Sequence, residues 1–269
     1  MAISALNSAA SGLRALSLQI DVVANNLANA ETKAFKRSRT HFEDLTYLTL
    51  RQPGARNAAG EVSPAGIQVG LGVRVSNTTI DLEQGSPENT GQDLDVAIEG
   101  PGFFRVQLLP TIGTGEGFTR NGQFFINREG ELVVGSRDGY RVLPPVAIPT
   151  NYEKLTISED GTVSAMLPGE IEAQVVGQIN VTRFPNAHGL RSLGGSVYLE
   201  TDASGPASEL TPGADGAGRL LQGFLESSNV DPVKELVTLI KTQRAFELNS
   251  QSIQTADQAL QTVANLRRF

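Results

Sequence analysis

Apolar residues return every seven positions at the start of the chain. Leu6, Leu13, Ile20 and Leu27 are each followed, three residues on, by Ala9, Leu16, Val23 and Ala30. This a/d pattern predicts a helix from about Ser4 to Ala30, roughly 40 Å long at the usual helical rise. The C-terminal end repeats the device, with Phe246, Ile253 and Leu260 at a, and Asn249, Ala256 and Val263 at d. Asp231 before Pro232 offers an N-cap acceptor and a proline at the first helical position. A second helix is therefore predicted from Pro232 to about Leu266. Upstream of its heptads, Val233, Leu236, Val237 and Ile240 give a broader apolar face.

Both seams are weak. Half of the N-terminal d positions are alanine, and Asn249 occupies a d position. A buried leucine contributes about 1.5–3 kcal/mol and an alanine much less. The other faces are nearly uncharged: from Met1 to Ala30 only Arg14 and Asp21 carry charge, and from Ala245 to Leu266 only Glu247 and Asp257. A helix pair facing water normally carries Glu and Lys at e and g. An intramolecular helical hairpin accounts for part of the pattern. The Ser, Ala, Asn, Gln and Thr faces add an expectation of packing against other copies, with the helices marginal in the dilute monomer. Asn25, Asn26 and Asn29 flank the last a/d pair. Two readings stand open for them: local capping where the helix ends, or amides that donate and accept towards neighbouring chains.

The middle has a different rhythm. "GIQVGLGVRVSNTTIDL" alternates, and "LDVAIEGPGFFRVQLL" reads as two strands about a Gly-Pro-Gly break. Asn121-Gly122, Asp138-Gly139 and Asp160-Gly161 favour type I′ hairpin turns. "AQVVGQINVTRF" and "SVYLETD" add strands, giving a turn-rich antiparallel β domain. Before it, Phe42, Leu45, Tyr47 and Leu50 begin a strand-like run that passes Arg51, Gln52, Pro53 and Gly54 into a Pro/Gly/Ala/Asn-rich tip. The run returns at Ile67 and Val69, so a long exposed hairpin is predicted, with a disordered linker as the alternative. The fold class is α+β. Four segments follow: an N-terminal helix at 1–31, a hairpin or linker at 32–69, the β domain at 70–222, and the C-terminal helix with its lead-in at 223–269.

Composition narrows the chemistry. Of 269 residues, 39% are hydrophobic and 19% charged, with 28 glycines and a net charge of −7. Binding nucleic acid needs a basic face, which this balance opposes. The absence of cysteine excludes disulfides and thiolate metal sites. No apolar run approaches the ~18 residues needed to span a bilayer. The start lacks the basic and apolar regions of a cleaved secretory signal.

His41 and His188 are the two histidines. No nucleophile elbow accompanies them, and His188 reads as a surface turn residue. Glu43-Asp44 and Glu159-Asp160 are adjacent in sequence, so in a strand their side chains point to opposite faces. "GPGFF" lacks the third glycine and the helix of a dinucleotide site. No catalytic, cofactor or metal residues are expected. Lys33, Lys36, Arg37 and Arg39 form a basic cluster after the first helix, read as dipole complementarity or, alternatively, as a polyanion site.

Four motifs together carry a resemblance. "ANNLANAETKAFKR" (24–37), "DVAIEGPGFFRV" (95–106), "FTRNGQFFINREGELVVGSRDGYRV" (118–142) and "LQGFLESSNVDPVKELVTLIKTQRAFELNSQSIQTADQALQTVANL" (221–266) resemble, in order, signatures of the bacterial flagellar axial proteins of rod and hook. The segment "RTHFEDLTYLTLRQPGARN", with its return, is most similar to the distal-rod branch. The sequence departs from the pattern at Lys33-Ala34, where a glycine is common. Without that glycine a positive-φ turn is not expected there. Pro101 is also unusual in its motif.

The resemblance implies a non-enzymatic subunit that polymerises with itself into a helical tube transmitting torque. Its implied partners are neighbouring rod and hook proteins, the flagellar type III export apparatus and the surrounding basal-body rings. It implies no nucleic acid, no membrane insertion, no cofactor, and a place in the periplasm-spanning rod reached without a cleaved signal. Assembly contacts would come from Leu6, Leu13, Leu16, Ile20, Val23, Leu27, Asn25, Asn26 and Asn29. On the second helix they would come from Phe246, Asn249, Ile253, Leu260 and Val263. Phe42, Leu45, Tyr47, Leu50 and Arg51 to Gly54 would form a rod-stiffening hairpin. A proximal rod or hook subunit is the alternative within the family, and a secreted cell-wall glycan hydrolase the alternative outside it.

Overall fold

The computed structural model describes residues 2–54, 64–135, 138–170, 172–214 and 216–266, without the side chains of 2–4, 263, 264 and 266. Helices stand near the two ends of the chain and strands fill the middle, an α+β architecture. The chain divides into two compact units, one of residues 1–28, 38–79 and 231–269, the other of residues 29–37 and 80–230.

In the first unit, α1 (Ala2–Ala28) packs along α2 (Pro232–Leu266). Helix α1 stops two residues before its heptad pattern does, at the turn where the Thr32 amide donates to Asn29 O. Helix α2 starts where the sequence marks it. Asp231 Oδ1 accepts from the amides of Val233 and Lys234 at 3.1 and 3.2 Å, an N-cap that satisfies otherwise orphaned donors. The helices meet closely at Gly12, where a Cβ would lie 3.2 Å from the Asn249 amide nitrogen.

Between the helices in sequence run β1 (Ser38–Asp44), β2 (Tyr47–Arg51), β3 (Ile67–Gly70) and β4 (Val73–Ile80). Strand β1 pairs with β4, and β2 with β3. The Leu45 amide donates to Gly72 O at 2.8 Å and the Leu71 amide to Thr46 O at 3.3 Å. These bonds carry the ladder across the gap, so the four strands make one two-stranded ribbon, about 45 Å long over residues 38–51 at the usual strand rise. Helix α1 holds its base. Ser11 Oγ accepts from the Val73 amide at 3.2 Å, and Ser8 Oγ donates to Gly70 O at 3.4 Å. Gly72 has φ +117°, and a Cβ there would strike Ser11 Oγ at 2.1 Å. Part of the uncharged α1 face thus serves its own chain, where the sequence suggested neighbours.

The second unit is built from short strands: β5 (Pro87–Asn89), β6 (Val96–Glu99), β7 (Phe104–Gln107), β8 (Glu116–Thr119), β9 (Phe124–Ile126), β10 (Leu132–Val134), β11 (Arg141–Leu143) and β12 (Lys154–Ile157). They continue as β13 (Thr162–Met166), β14 (Gln174–Gln178), β15 (Val181–Arg183), β16 (Arg191–Gly194), β17 (Val197–Leu199), β18 (Ser208–Leu210), β19 (Arg219–Gln222) and β20 (Phe224–Glu226). A seven-stranded sheet runs β16-β17-β8-β7-β11-β10-β9, and a three-stranded one β12-β13-β14. The pairs β15–β18, β19–β6 and β20–β5 complete the unit. Successive strand residues point to opposite faces, and Phe103 and Phe104 divide accordingly. Phe104 enters the main core with Ile98, Val106, Leu132, Leu155 and Val163. Phe103 joins Phe118, Phe184, Leu190 and Tyr198 in a smaller cluster.

Two turn expectations change. Asn121-Gly122 joins β8 to β9, which do not pair with each other, so it is no hairpin turn. Asp160-Gly161 does close a hairpin, between β12 and β13, but only Gly161 has positive φ. A type I′ turn needs two such residues. The bonds Gly161 N–H to Ser158 O and Ser158 N–H to Thr162 O close a turn with a glycine bulge instead. At Asp138-Gly139, between β10 and β11, the glycine has φ +58°, and the preceding turn residues 136 and 137 lie outside the described residues.

Ala34 is a further correction. It adopts φ +56° despite its Cβ. The strain, on the order of 1–2 kcal/mol for an L-residue, is held by burial and by the Ala34 amide donating to Glu226 O at 2.8 Å. Pro101 is accommodated because Gly100 and Gly102 on either side take the positive φ angles, 109° and 143°.

Candidate assembly surfaces

Asn26 is 1% exposed. Its Nδ2 donates to Ser38 O and its Oδ1 accepts from the Ser38 amide, both at 2.9 Å. The side chain thus imitates a paired strand residue and fastens the start of β1 to α1. Nδ2 also lies 3.4 Å from Glu235 Oε2. Asn26 is therefore neither a cap nor a contact offered to other chains, because its amide is buried and engaged within the copy. Asn29 does act locally, its Oδ1 accepting from Thr32 Oγ1 at 3.1 Å. Asn25 is exposed.

The helix seam is shallow. Val23 is buried, while Leu6, Leu13, Leu16, Ile20 and Leu27 are half-buried. On α2, Phe246, Asn249 and Ile253 are half-buried and Leu260 is exposed. The Val263 side chain lies outside the described residues. Half-covered leucines leave apolar surface available on both helices.

The first half of α2 turns its polar face inward and its apolar face outward. Glu235 and Thr242 are buried, whereas Val233 is 71% exposed and Leu236, Val237, Ile240 and Leu248 are exposed with it. At 100° per residue, the apolar set centres opposite Glu235, Thr242 and Asn249. The polar face can turn inward because its groups find partners. Glu235 faces Asn26, and Thr242 Oγ1 donates back to Thr238 O at 2.8 Å. The apolar stripe Val233–Ile240 is left uncovered.

The ribbon is uncovered as well. Every residue of β2 is exposed. Phe42, Tyr47, Leu50, Arg51, Gln52, Pro53 and Gly54 are exposed, and Leu45 is half-buried. Leu48, absent from the sequence-based set, is exposed beside them. The predicted ribbon tip, at 55–63, lies outside the described residues.

The basic cluster has a different fate. In the second unit, Lys36 Nζ lies 2.5 Å from Glu226 Oε1, with both side chains fully buried. Arg120 Nε donates to Glu226 Oε2 at 2.7 Å, and the Gly85 amide to Oε1 at 2.9 Å. The Arg120 guanidinium also donates to the carbonyls of Ile98, Gly100 and Gly102. Burial pushes the Lys36 ammonium below its ordinary pKa, and Glu226 opposes that shift. Tyr198 is pushed up to about 12, by burial first and by the Glu226 charge second. Lys33 pairs with Glu88, and Arg37 with Asp81 at 2.7 Å. Three of the four cations are thus engaged inside the unit, which removes the basis for a polyanion site. The sequence carried no signal for this cluster, since Lys36, Arg120 and Glu226 are far apart along the chain.

The acid/base candidates are equally engaged in local structure. His41 Nε2 lies 2.8 Å from Thr79 Oγ1, and His188 Nδ1 lies 3.0 Å from Ile80 O. Glu43 pairs with Arg74, Glu159 with Arg219, and Asp160 Oδ1 accepts from the Thr162 amide. No group of three His, Asp or Glu that could hold a metal occurs among the described residues.

Comparison with known proteins places the chain. Residues 6–36 match the model of flagella basal body rod proteins. Residues 97–165 match the flagellar hook protein FlgE/F/G D1 domain, and residues 221–266 the C-terminal region of flagellar basal body rod FlgEFG proteins. The flagellar basal-body rod protein FlgG of Buchnera aphidicola subsp. Schizaphis graminum is 45% identical, over 95% of this chain and 96% of that protein. FlgG of Caulobacter vibrioides is 44% identical over 98% and 99%, and FlgG of Borreliella burgdorferi 43% over 98% of both. With such identity over nearly the full length, the chain belongs to the FlgG family of flagellar basal-body rod proteins, which are structural proteins and not enzymes.

Proposed function

We propose that the chain is a wall subunit of the flagellar distal rod, polymerising into a rigid tube that carries motor torque towards the hook. Family membership sets the class. The observation that carries the mechanical part is the uncovered apolar surface of the first unit: the outer stripe of α2 and a β2 strand exposed on both faces. A two-stranded ribbon is at best marginal alone in water, so a long one gains its order by packing on something else.

In this reading α1 and α2 form the inner, coiled-coil layer of the tube. Their half-buried leucines and the exposed Leu260 meet neighbouring helices. The ribbon and its tip form the hairpin that locks adjacent copies against bending. Such contacts repeat by a screw operation without closing. The neighbouring rod and hook proteins, the export apparatus and the surrounding rings are the partners this place entails, with passage to the periplasm without a cleaved signal.

Deletion of residues 50–65 tests the mechanical role. The shortened chain should still be exported and should yield rods that bend or misassemble in electron micrographs. Straight rods of normal stiffness would contradict the role given to the ribbon.

A further inference from the structure

We infer that Asn229 is a positioning residue that locks the root of the ribbon to the lead-in of α2, so that load on the ribbon is shared with α2 without slack. This rests on the reading of the chain as a torque-bearing rod subunit and names a residue that its stiffness needs.

Three stretches of the second unit continue along the chain into elements of the first. Arg37 directly precedes β1, Asp81 directly follows β4, and Asn229 stands three residues before α2. Opposed residues of a closed antiparallel rung exchange both N–H···O bonds. At the root of the ribbon one of the two is made, the Asp81 amide donating to Arg37 O at 2.8 Å. A side chain takes the place of the other. The Arg37 amide donates to Asn229 Oδ1 at 2.8 Å, and Asn229 Nδ2 donates to Asp81 O at 2.8 Å. The carboxamide is thus set into the open side of the rung.

The insertion uses the whole amide. Nδ2 also donates to Glu83 O at 3.1 Å, so both of its donors and its acceptor are engaged. The Asn229 backbone amide adds a bond to Phe35 O at 3.3 Å. A local cap or turn would find its partners within a few residues, whereas those of the carboxamide lie 146 to 192 residues away. Arg37 Nε braces Asp81 Oδ2 at 2.9 Å, but that contact ties the two ribbon strands and leaves the lead-in of α2 out. Lys36 and Glu226 also join these stretches, through charges that are fully buried. Asn229 differs from them in being half-buried and in bonding to the rung itself. Its loss should therefore loosen the root while the unit stays folded.

The test reads the single chain and the assembled rod together. In the purified chain, Asn229→Ala should speed hydrogen exchange of the Arg37 amide at least tenfold, with the core amides of Val106 and Leu155 at their ordinary rates. In cells it should give distal rods in ordinary number, whose mean-square bend angle in electron micrographs at least doubles. Ser227→Ala, in the same lead-in but bonded to Glu88 at the surface, should leave the rods straight. Asn229→Ala rods as straight as those of the unsubstituted chain would overturn the lock and leave the rod subunit standing. So would equal bending with Ser227→Ala, an unchanged Arg37 exchange rate, or loss of rods from a chain whose core amides are unmoved. Faster exchange throughout the core would overturn the lock as well, by making Asn229 a general folding residue. Absence of the unsubstituted chain from distal rods would overturn the rod reading itself.

Discussion

At the scale of single residues, the second unit depends on one carboxylate. Glu226 accepts from Lys36, Arg120 and the Gly85 amide in full burial. Removing one member of a buried ionic group leaves a charge without compensation, typically costing about 3–5 kcal/mol. Glu226→Gln, which strands two cations, should therefore lower unfolding stability by about that much in urea titrations. Lys36→Met should cost less, because Arg120 still holds Glu226. Ala34→Gly should go the other way. It relieves the φ +56° strain, and after the extra chain entropy of glycine a gain of about 0.5–1 kcal/mol is expected. Tyr198 supplies a pH test. Its pKa is raised from 10.0 to about 12 in the folded state, so its contribution is complete below pH 10 and lost as pH rises through 12. Alkaline unfolding should show that loss, and Tyr198→Phe should remove the tyrosinate absorbance step near pH 12.

At the scale of elements, the sequence was most legible where the signal is local. The heptads located α1 and α2, and Asp231-Pro232 marked the start of α2 to the residue, because capping acts within one turn. The ribbon strands were visible in Phe42, Tyr47 and Leu50. Which way α2 faces was not legible. An apolar stripe ordinarily marks the buried side, but Glu235 and Thr242 went inside because Asn26 and the Thr238 carbonyl satisfy them. The role of Asn26 was hidden for a related reason: its partner, Ser38, lies twelve residues on and across a turn. Lys36 and Glu226 are separated by 190 residues, beyond any periodicity. Ala34 shows the same limit, since a residue type argued against positive φ and a buried carbonyl imposed it.

The helices themselves invite a test at this scale. They span 27 and 35 residues, yet their seam is shallow, with much of α2 facing water. Burial of one weak seam offsets little of the chain entropy. In dilute monomer, far-ultraviolet circular dichroism should show well under the helix content these lengths would give, rising on polymerisation. A full helical signal in the monomer would place the helices among self-sufficient elements and weaken the case that neighbours complete them.

At the scale of the whole molecule, the two units are supported differently. The second has a closed apolar core, aromatic clusters and a buried ionic group. The first shows uncovered leucine, valine and isoleucine on α2 and the ribbon. That asymmetry is what a polymer subunit requires: one part stable alone, and one part whose burial is finished by other copies. The function proposed above would place that uncovered part in the wall of the tube. The most direct test is electron cryomicroscopy of purified basal bodies. The account predicts that the density of the distal rod fits this chain, with α1 and α2 in the inner wall and the ribbon against an adjacent copy. Distal-rod density that fits another protein, or a ribbon lying free of its neighbours, would contradict it.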